Sequence, residues 1–143
     1  MQEKVVFDTS IYTGIFNRNQ YANEINWFKK VTYLVYPVLH ELWIGAKGAS
    51  EIRHLTRFGN TFVKLGHLIR PEPATQIRIG LVCQKLRSTG KLDPDNPRQY
   101  NKICIAMLAR QIGATVVTLD INDFKRIQSV VDFKYRDVIQ EDS

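Results

Sequence analysis

Apolar positions along the chain fall into two alternating patterns. Short runs rich in β-branched and aromatic residues, Val5-Val6-Phe7, Val31-Thr32-Tyr33-Leu34-Val35, His67-Leu68-Ile69-Arg70 and Ala114-Thr115-Val116-Val117-Thr118, read as buried strands. Between them apolar residues recur three or four apart, which predicts helices. Ile11, Tyr12 and Ile15 mark a short one, and 21–29 a second with Ile25 and Phe28 on one face and Trp27 beside it. A third opens at Pro37 and runs to Ala46, and a fourth over 51–64 carries the stripe Ile52, Leu55, Phe58, Phe62. A fifth over 74–88 turns Ile77, Leu81 and Leu86 inward; a sixth carries Ile105, Ala106, Ala109 and Ile112 and stops at Gly113. Residues 130–135 alternate like an edge strand, 89–97 read as a surface loop, and 140–143 as a frayed tail. No internal repeat appears.

Strands alternating with helices predict one α/β domain over 1–143, three layers deep, with a central, mainly parallel sheet of four or five strands flanked by helices. In such sheets ligands sit beyond the carboxyl ends of the strands. Asp8 directly follows the first strand, and Asp120 and Asp123 follow the 114–118 strand. Right-handed crossovers bring those two strand ends together. Glu41, a lone acid among apolar helix neighbours, can lean toward the same place, because a buried carboxylate needs a partner. Asp also favours helix starts for capping alone, which gives Asp120 and Asp123 a purely structural alternative.

The chain has 143 residues, 44% hydrophobic and 24% charged, as expected of a soluble globular protein. No stretch is long and apolar enough for a membrane span, and no basic segment leads an apolar one at the start, so the expected residence is cytoplasmic. Cys83 and Cys104 lie inside helices without metal-ligand spacing and read as free thiols, and His40, His54 and His67 are too scattered for zinc. A net charge of +6 suits a polyanion such as RNA.

Four segments in order carry a family likeness: Val6-Phe7-Asp8-Thr9-Ser10; Val38-Leu39-His40-Glu41-Leu42 with Gly45-Ala46; Ile105-Ala106 with Ala109 and Gly113; and Val117-Thr118-Leu119-Asp120-Ile121-Asn122-Asp123-Phe124. Together they resemble the PIN domain in its VapC-type toxin branch, over nearly the whole chain. The resemblance implies a Mg²⁺- or Mn²⁺-dependent endoribonuclease, a cognate VapB-type antitoxin that blocks the site, and a homodimer. By position it makes Asp8, Glu41 and Asp120 the metal-holding acids and Asp123 an accessory catalytic carboxylate. Thr9 or Ser10 would orient Asp8, and Thr118 would stand beside the cluster. Apart from the resemblance, Arg98, Lys125 and Arg126 lie near enough to the acids to contact RNA phosphates, with plain solvated charge as the alternative. Hard divalent ions take oxygen ligands, so the residue types suit that chemistry.

One position departs from the family pattern, which has an aspartate three residues before the Ile-Ala pair. Here Lys102 stands there, on the helix face that looks at the sheet. Three outcomes are open: the remaining acids still hold a metal while Lys102 meets phosphate or solvent; the ammonium pairs with Asp8, Glu41 or Asp120 and replaces the metal; or Asp93 or Asp95 folds in to restore the count. The second leads to a weakened or non-catalytic module that binds RNA or protein. Tyr12, Trp27, Trp43 and Tyr100 read as core residues, with a groove for a partner helix as the alternative.

Overall fold

The computed structural model describes residues 2–21 and 30–139. The expected helix over 21–29, with Ile25, Trp27 and Phe28, and the tail 140–143 lie outside the described residues, apart from Tyr21. Strands are β1 (Glu3–Phe7), β2 (Lys30–Val35), β3 (Leu68–Ile69), β4 (Thr115–Thr118) and β5 (Lys134–Asp137). Helices are α1 (Thr9–Arg18), α2 (Tyr36–Ile44), α3 (Ala49–Leu65), α4 (Pro73–Ser88), α5 (Pro97–Ile112) and α6 (Ile121–Gln128).

The strands form one sheet in the order β3-β2-β1-β4-β5, and every pair is parallel. Helices flank it to give the three-layer α/β architecture that the alternation predicts. The order steps outward on both sides of β1, so the chain switches direction between β1 and β4, where an open α/β sheet leaves a crevice at its carboxyl edge. The register Val6↔Val116 and Phe7↔Val117 aligns those two strand ends. The amide of Asp8 extends the ladder by donating to the Val117 carbonyl at 3.0 Å.

Helix α5 is the core's central rod. Asn96 caps it, its side chain accepting from the amides of Arg98 and Gln99, and Pro97 fills the first turn, where no N–H is needed. Ile103 to Ala109 are all buried, because sheet strands lie against one side and α4 against another. Gly113 ends the helix at φ 70°, a conformation that other residues adopt at a cost.

The elements match the hydrophobic pattern better than the faces do. On α4 the inward stripe is Thr75, Ile79, Val82 and Leu86, while Ile77 and Leu81 are 68% and 58% exposed. The expectation followed the bulkiest side chains and so took a stripe rotated away from α5. On α3 Ile52 is exposed and Gly59 takes an inward place between Leu55 and Phe62. The last strand begins at Lys134 because Val130 closes the turn after α6, its amide donating to the Ile127 carbonyl at 3.1 Å. Tyr12 packs in the core against Phe7, Phe16 and Phe58, but Trp43 and Tyr100 are on the surface, contrary to the core role expected of them. Cys104 is buried and Cys83 half-buried, both as free thiols. No helix among the described residues is long and apolar enough to cross a membrane.

Candidate functional site

At the carboxyl edge of β1 and β4 lies a cavity of about 860 Å³. Its walls include Asp8, Thr9, Ser10, Glu41, Lys102, Asp120 and Asp123, so four acids from three separate parts of the sequence reach one space. Arg18 from α1 and Arg98 from α5 add positive charge.

Each acid is placed by backbone logic. Asp8 leaves β1 and caps α1, with one carboxylate oxygen accepting from the Thr9 amide at 2.8 Å. Its other oxygen accepts from the Thr118 hydroxyl at 2.9 Å, in a fully buried contact across the β1–β4 pair. The same Thr118 oxygen accepts from the Asp120 amide at 2.9 Å, so one hydroxyl ties the ends of both strands. Thr9 donates its hydroxyl to Glu41 Oε1 at 3.0 Å and thereby joins α1 to α2. Asp120 occupies the cap position of α6 but makes no capping bond with its side chain. Capping alone does not account for it. Ser10 Oγ is buried without a hydrogen-bond partner among the described residues.

The electrostatics divide the acids into two pairs. Burial pushes the carboxyl of Asp8 above the ordinary range, against the opposing pull of the Thr118 and Thr9 hydrogen bonds. Burial likewise raises Glu41, the Thr9 hydroxyl opposing and the nearby Asp8 adding to the rise. Asp123 goes the other way: burial acts to raise it, but Lys102 and Arg126 outweigh that and hold it below the ordinary value. Lys102 Nζ donates to Asp120 Oδ2 and, at 2.8 Å, to Asp123 Oδ2. Arg126 holds the second oxygen of Asp123 at 2.7 Å. Burial alone would lower the Lys102 ammonium pKa, but its two carboxylates more than reverse this and raise it.

No protein-family model matches the sequence, and no curated protein matches it either. Solved structures do resemble the fold. A chain in the structure of VapBC-1 from nontypeable Haemophilus influenzae superposes with a TM-score of 0.73 at 16% identity, over 96% of this chain and 99% of that one. Another in VapBC from Salmonella typhimurium, bound to DNA, gives 0.70 at 24% identity, over 96% and 100%. A third in VapBC2 from Rickettsia felis, bound to a fragment of promoter DNA, gives 0.71 at 20% identity, over 94% and 98%. The chain has a PIN-like α/β fold, shared with these VapBC chains.

The PIN resemblance also implies a divalent ion, and the side chains present can be tested against it. Oxygen donors of suitable hardness are here, yet among the described residues no three His, Cys, Asp or Glu side chains stand close enough together to hold a metal. Lys102 already takes an oxygen of Asp120 and of Asp123, and with Arg126 it matches their two negative charges. A divalent ion about 4 Å from that ammonium would be repelled by roughly 8 kcal/mol at an effective dielectric near 20. As arranged, the residues do not fit the ion.

The expected supporting residues Thr9, Ser10 and Lys102 line the cavity of this PIN fold, and Thr118 stands beneath it. Of the basic residues, Arg98 lines the cavity, whereas Arg126 is engaged by Asp123 and Lys125 points outward on α6. Asp93 and Asp95 do not fold in: Asp95 pairs with Arg87 at 2.7 Å on the surface, and Asp93 accepts from the Asp95 amide. Sequence reasoning missed Arg18, Gln20, Asn96 and Gln99 as wall residues. Asn96 carried a usable signal, as the cap preceding Pro97 aims the first turn of α5 at this edge.

Proposed function

We propose that this chain is the toxin component of a VapBC-type pair, a ribonuclease-type PIN domain that takes RNA at the acid cavity, partners with a cognate VapB-type antitoxin and assembles as a homodimer. Hydrolysis is held low in this sequence. The observation that carries the reading is the convergence of Asp8, Glu41, Asp120 and Asp123 with Arg18 and Arg98 on one cavity at the carboxyl edge of the sheet. The near-complete overlap with chains of VapBC structures supports it.

In this reading Arg98 and Arg18 draw in the phosphate backbone. Asp8 and Glu41, whose carboxyls burial holds above their usual range, are the groups able to accept a proton from a water or a ribose hydroxyl. Lys102 is committed to Asp120 and Asp123, so the divalent-ion chemistry that the resemblance implied has no vacant acid cluster to use.

The test pairs RNA binding with turnover. Fluorescence anisotropy with single-stranded and hairpin RNA in EDTA should show salt-dependent binding that Arg98→Ala weakens, with the salt slope reduced by about one. Cleavage with Mg²⁺ or Mn²⁺, at enzyme well below substrate, should be slow, and lost in Asp8→Ala and Glu41→Ala. Absence of RNA binding at low salt would refute the RNA reading. Fast turnover in either metal that Lys102→Asp fails to increase would refute the attenuation. Co-purification with the product of an adjacent small gene tests the antitoxin.

A further inference from the structure

The mismatch between a VapC-type fold and a lysine-filled acid cluster has a consequence for the cavity itself. We propose that Lys102 is the resident cation of this site: its ammonium takes the place of a divalent ion between Asp120 and Asp123, and the chain keeps its cavity charge-balanced without Mg²⁺ or Mn²⁺. The inference rests on the geometry of the acid cavity and holds whether or not RNA is the ligand.

Three observations converge on it. The ammonium is bonded to both acids that follow β4, and the lysine side chain is only 13% exposed, so this is a seated group and not a surface contact. Its helix start is fixed: the Asn96 side chain accepts from the amides of Arg98 and Gln99, and Lys102 follows in the second turn on the face toward the sheet. A lysine stem carries its charge into the cavity much as a shorter aspartate carries a bound ion across a metal–oxygen bond of about 2.1 Å. The partner charges also close. Asp120 and Asp123 face Lys102 and Arg126, which leaves Asp8 and Glu41, both tied to Thr9, as the acids of the cavity without a bonded cation among the described residues.

The probe is Mn²⁺ alone, titrated by calorimetry into the full chain and followed in parallel by thermal melting with EDTA or Mn²⁺. For the natural chain the expected result is no saturable binding below millimolar Mn²⁺ and a Tm that neither EDTA nor Mn²⁺ moves. Lys102→Asp should bind one equivalent at least about 100-fold more tightly and gain Tm with Mn²⁺, since it adds an oxygen ligand and removes the competing charge. Lys102→Met, which keeps the stem and loses the charge, should melt lower than the natural chain in EDTA and recover partly with Mn²⁺. It carries the test if the aspartate variant does not fold. Micromolar Mn²⁺ binding by the natural chain would overturn the proposal, as would a failure of both variants to bind more tightly than it does. RNA binding in EDTA is scored separately, so loss of the RNA reading leaves these outcomes interpretable.

Discussion

Thr118→Val isolates the one hydroxyl on which the site's framework turns. Valine keeps the size and the β-branch, so the fully buried position on β4 stays filled and the strand is undisturbed. What goes is the donor to Asp8 Oδ2 and the acceptor for the Asp120 amide, each at 2.9 Å. A hydrogen bond to a charged group is worth about 1.5–3 kcal/mol, and the Asp120 amide, near solvent, adds toward the low end of about 1–3 kcal/mol. A loss of roughly 3 kcal/mol at pH 7.5 is expected, about 10 °C in Tm for a chain of this size. The loss should also depend on pH. Burial raises the Asp8 carboxyl pKa in the folded state, and Thr118 pulls it back down. Because the folded state then binds the proton more tightly than the unfolded state, stability falls as pH rises from the unfolded value toward the folded one, and stays lower above it. Without Thr118 the folded value moves further up, so the gap between variant and natural chain is smallest at acid pH and widens as pH rises. Urea unfolding at pH 4.5 and 7.5, compared at unchanged slope, measures both quantities. An equal loss at the two pH values would refute the account of Asp8. A loss below about 0.5 kcal/mol at pH 7.5 would refute the role of the hydroxyl.

Other substitutions test neighbouring parts of the same framework. Asp8→Asn relieves the burial of a charge while an amide oxygen still accepts from Thr118 or Thr9; Tm at pH 7.5 should rise by on the order of 1 kcal/mol in stability while RNA cleavage is lost, as melting and a cleavage assay would show. Asp123 has a lowered carboxyl pKa, so its stabilisation is present above the unfolded value and disappears as pH falls through the folded one; Asp123→Asn should lower stability at neutral pH and flatten the acid limb of a urea midpoint-versus-pH curve. At Gly113, φ is 70° and nothing stands within 4 Å of an added Cβ, so Gly113→Ala should cost only the backbone strain, about 1 kcal/mol or roughly 3 °C by melting.

How far the sequence could be read depended on whether a feature was set by local pattern or by packing. β1 and β4 were legible because Val5-Val6-Phe7 and Val116-Val117 are apolar on both faces, as a strand covered by helices on both sides must be. The ends of α5 were legible because proline and glycine punctuate the chain by their own backbone limits. The inward face of α4 was not, because Ile77 and Leu81 advertise burial by size, whereas α5 receives the smaller stripe through Thr75, Ile79 and Val82. The start of β5 was equally hidden. Val130 and Val131 look like strand residues, but the turn after α6 uses them before Lys134 pairs with Thr115.

The site shows the same division at the scale of single side chains. That Asp8 and Asp120 meet follows from topology: two parallel neighbours, β1 and β4, end in register, and any acid just past either end arrives at the same edge. Which of the acids a cation would join does not follow from topology. Asp8 and Glu41 are linked through the Thr9 side of α1, Asp120 and Asp123 through Lys102, and that split arises from where one lysine on the second turn of α5 places its ammonium. A substitution at a single position can therefore leave every strand, helix and acid of a PIN fold in place and still change what the acids are able to hold. On the proposal made above, Lys102, more than the number of carboxylates, decides whether the cavity is a metal centre.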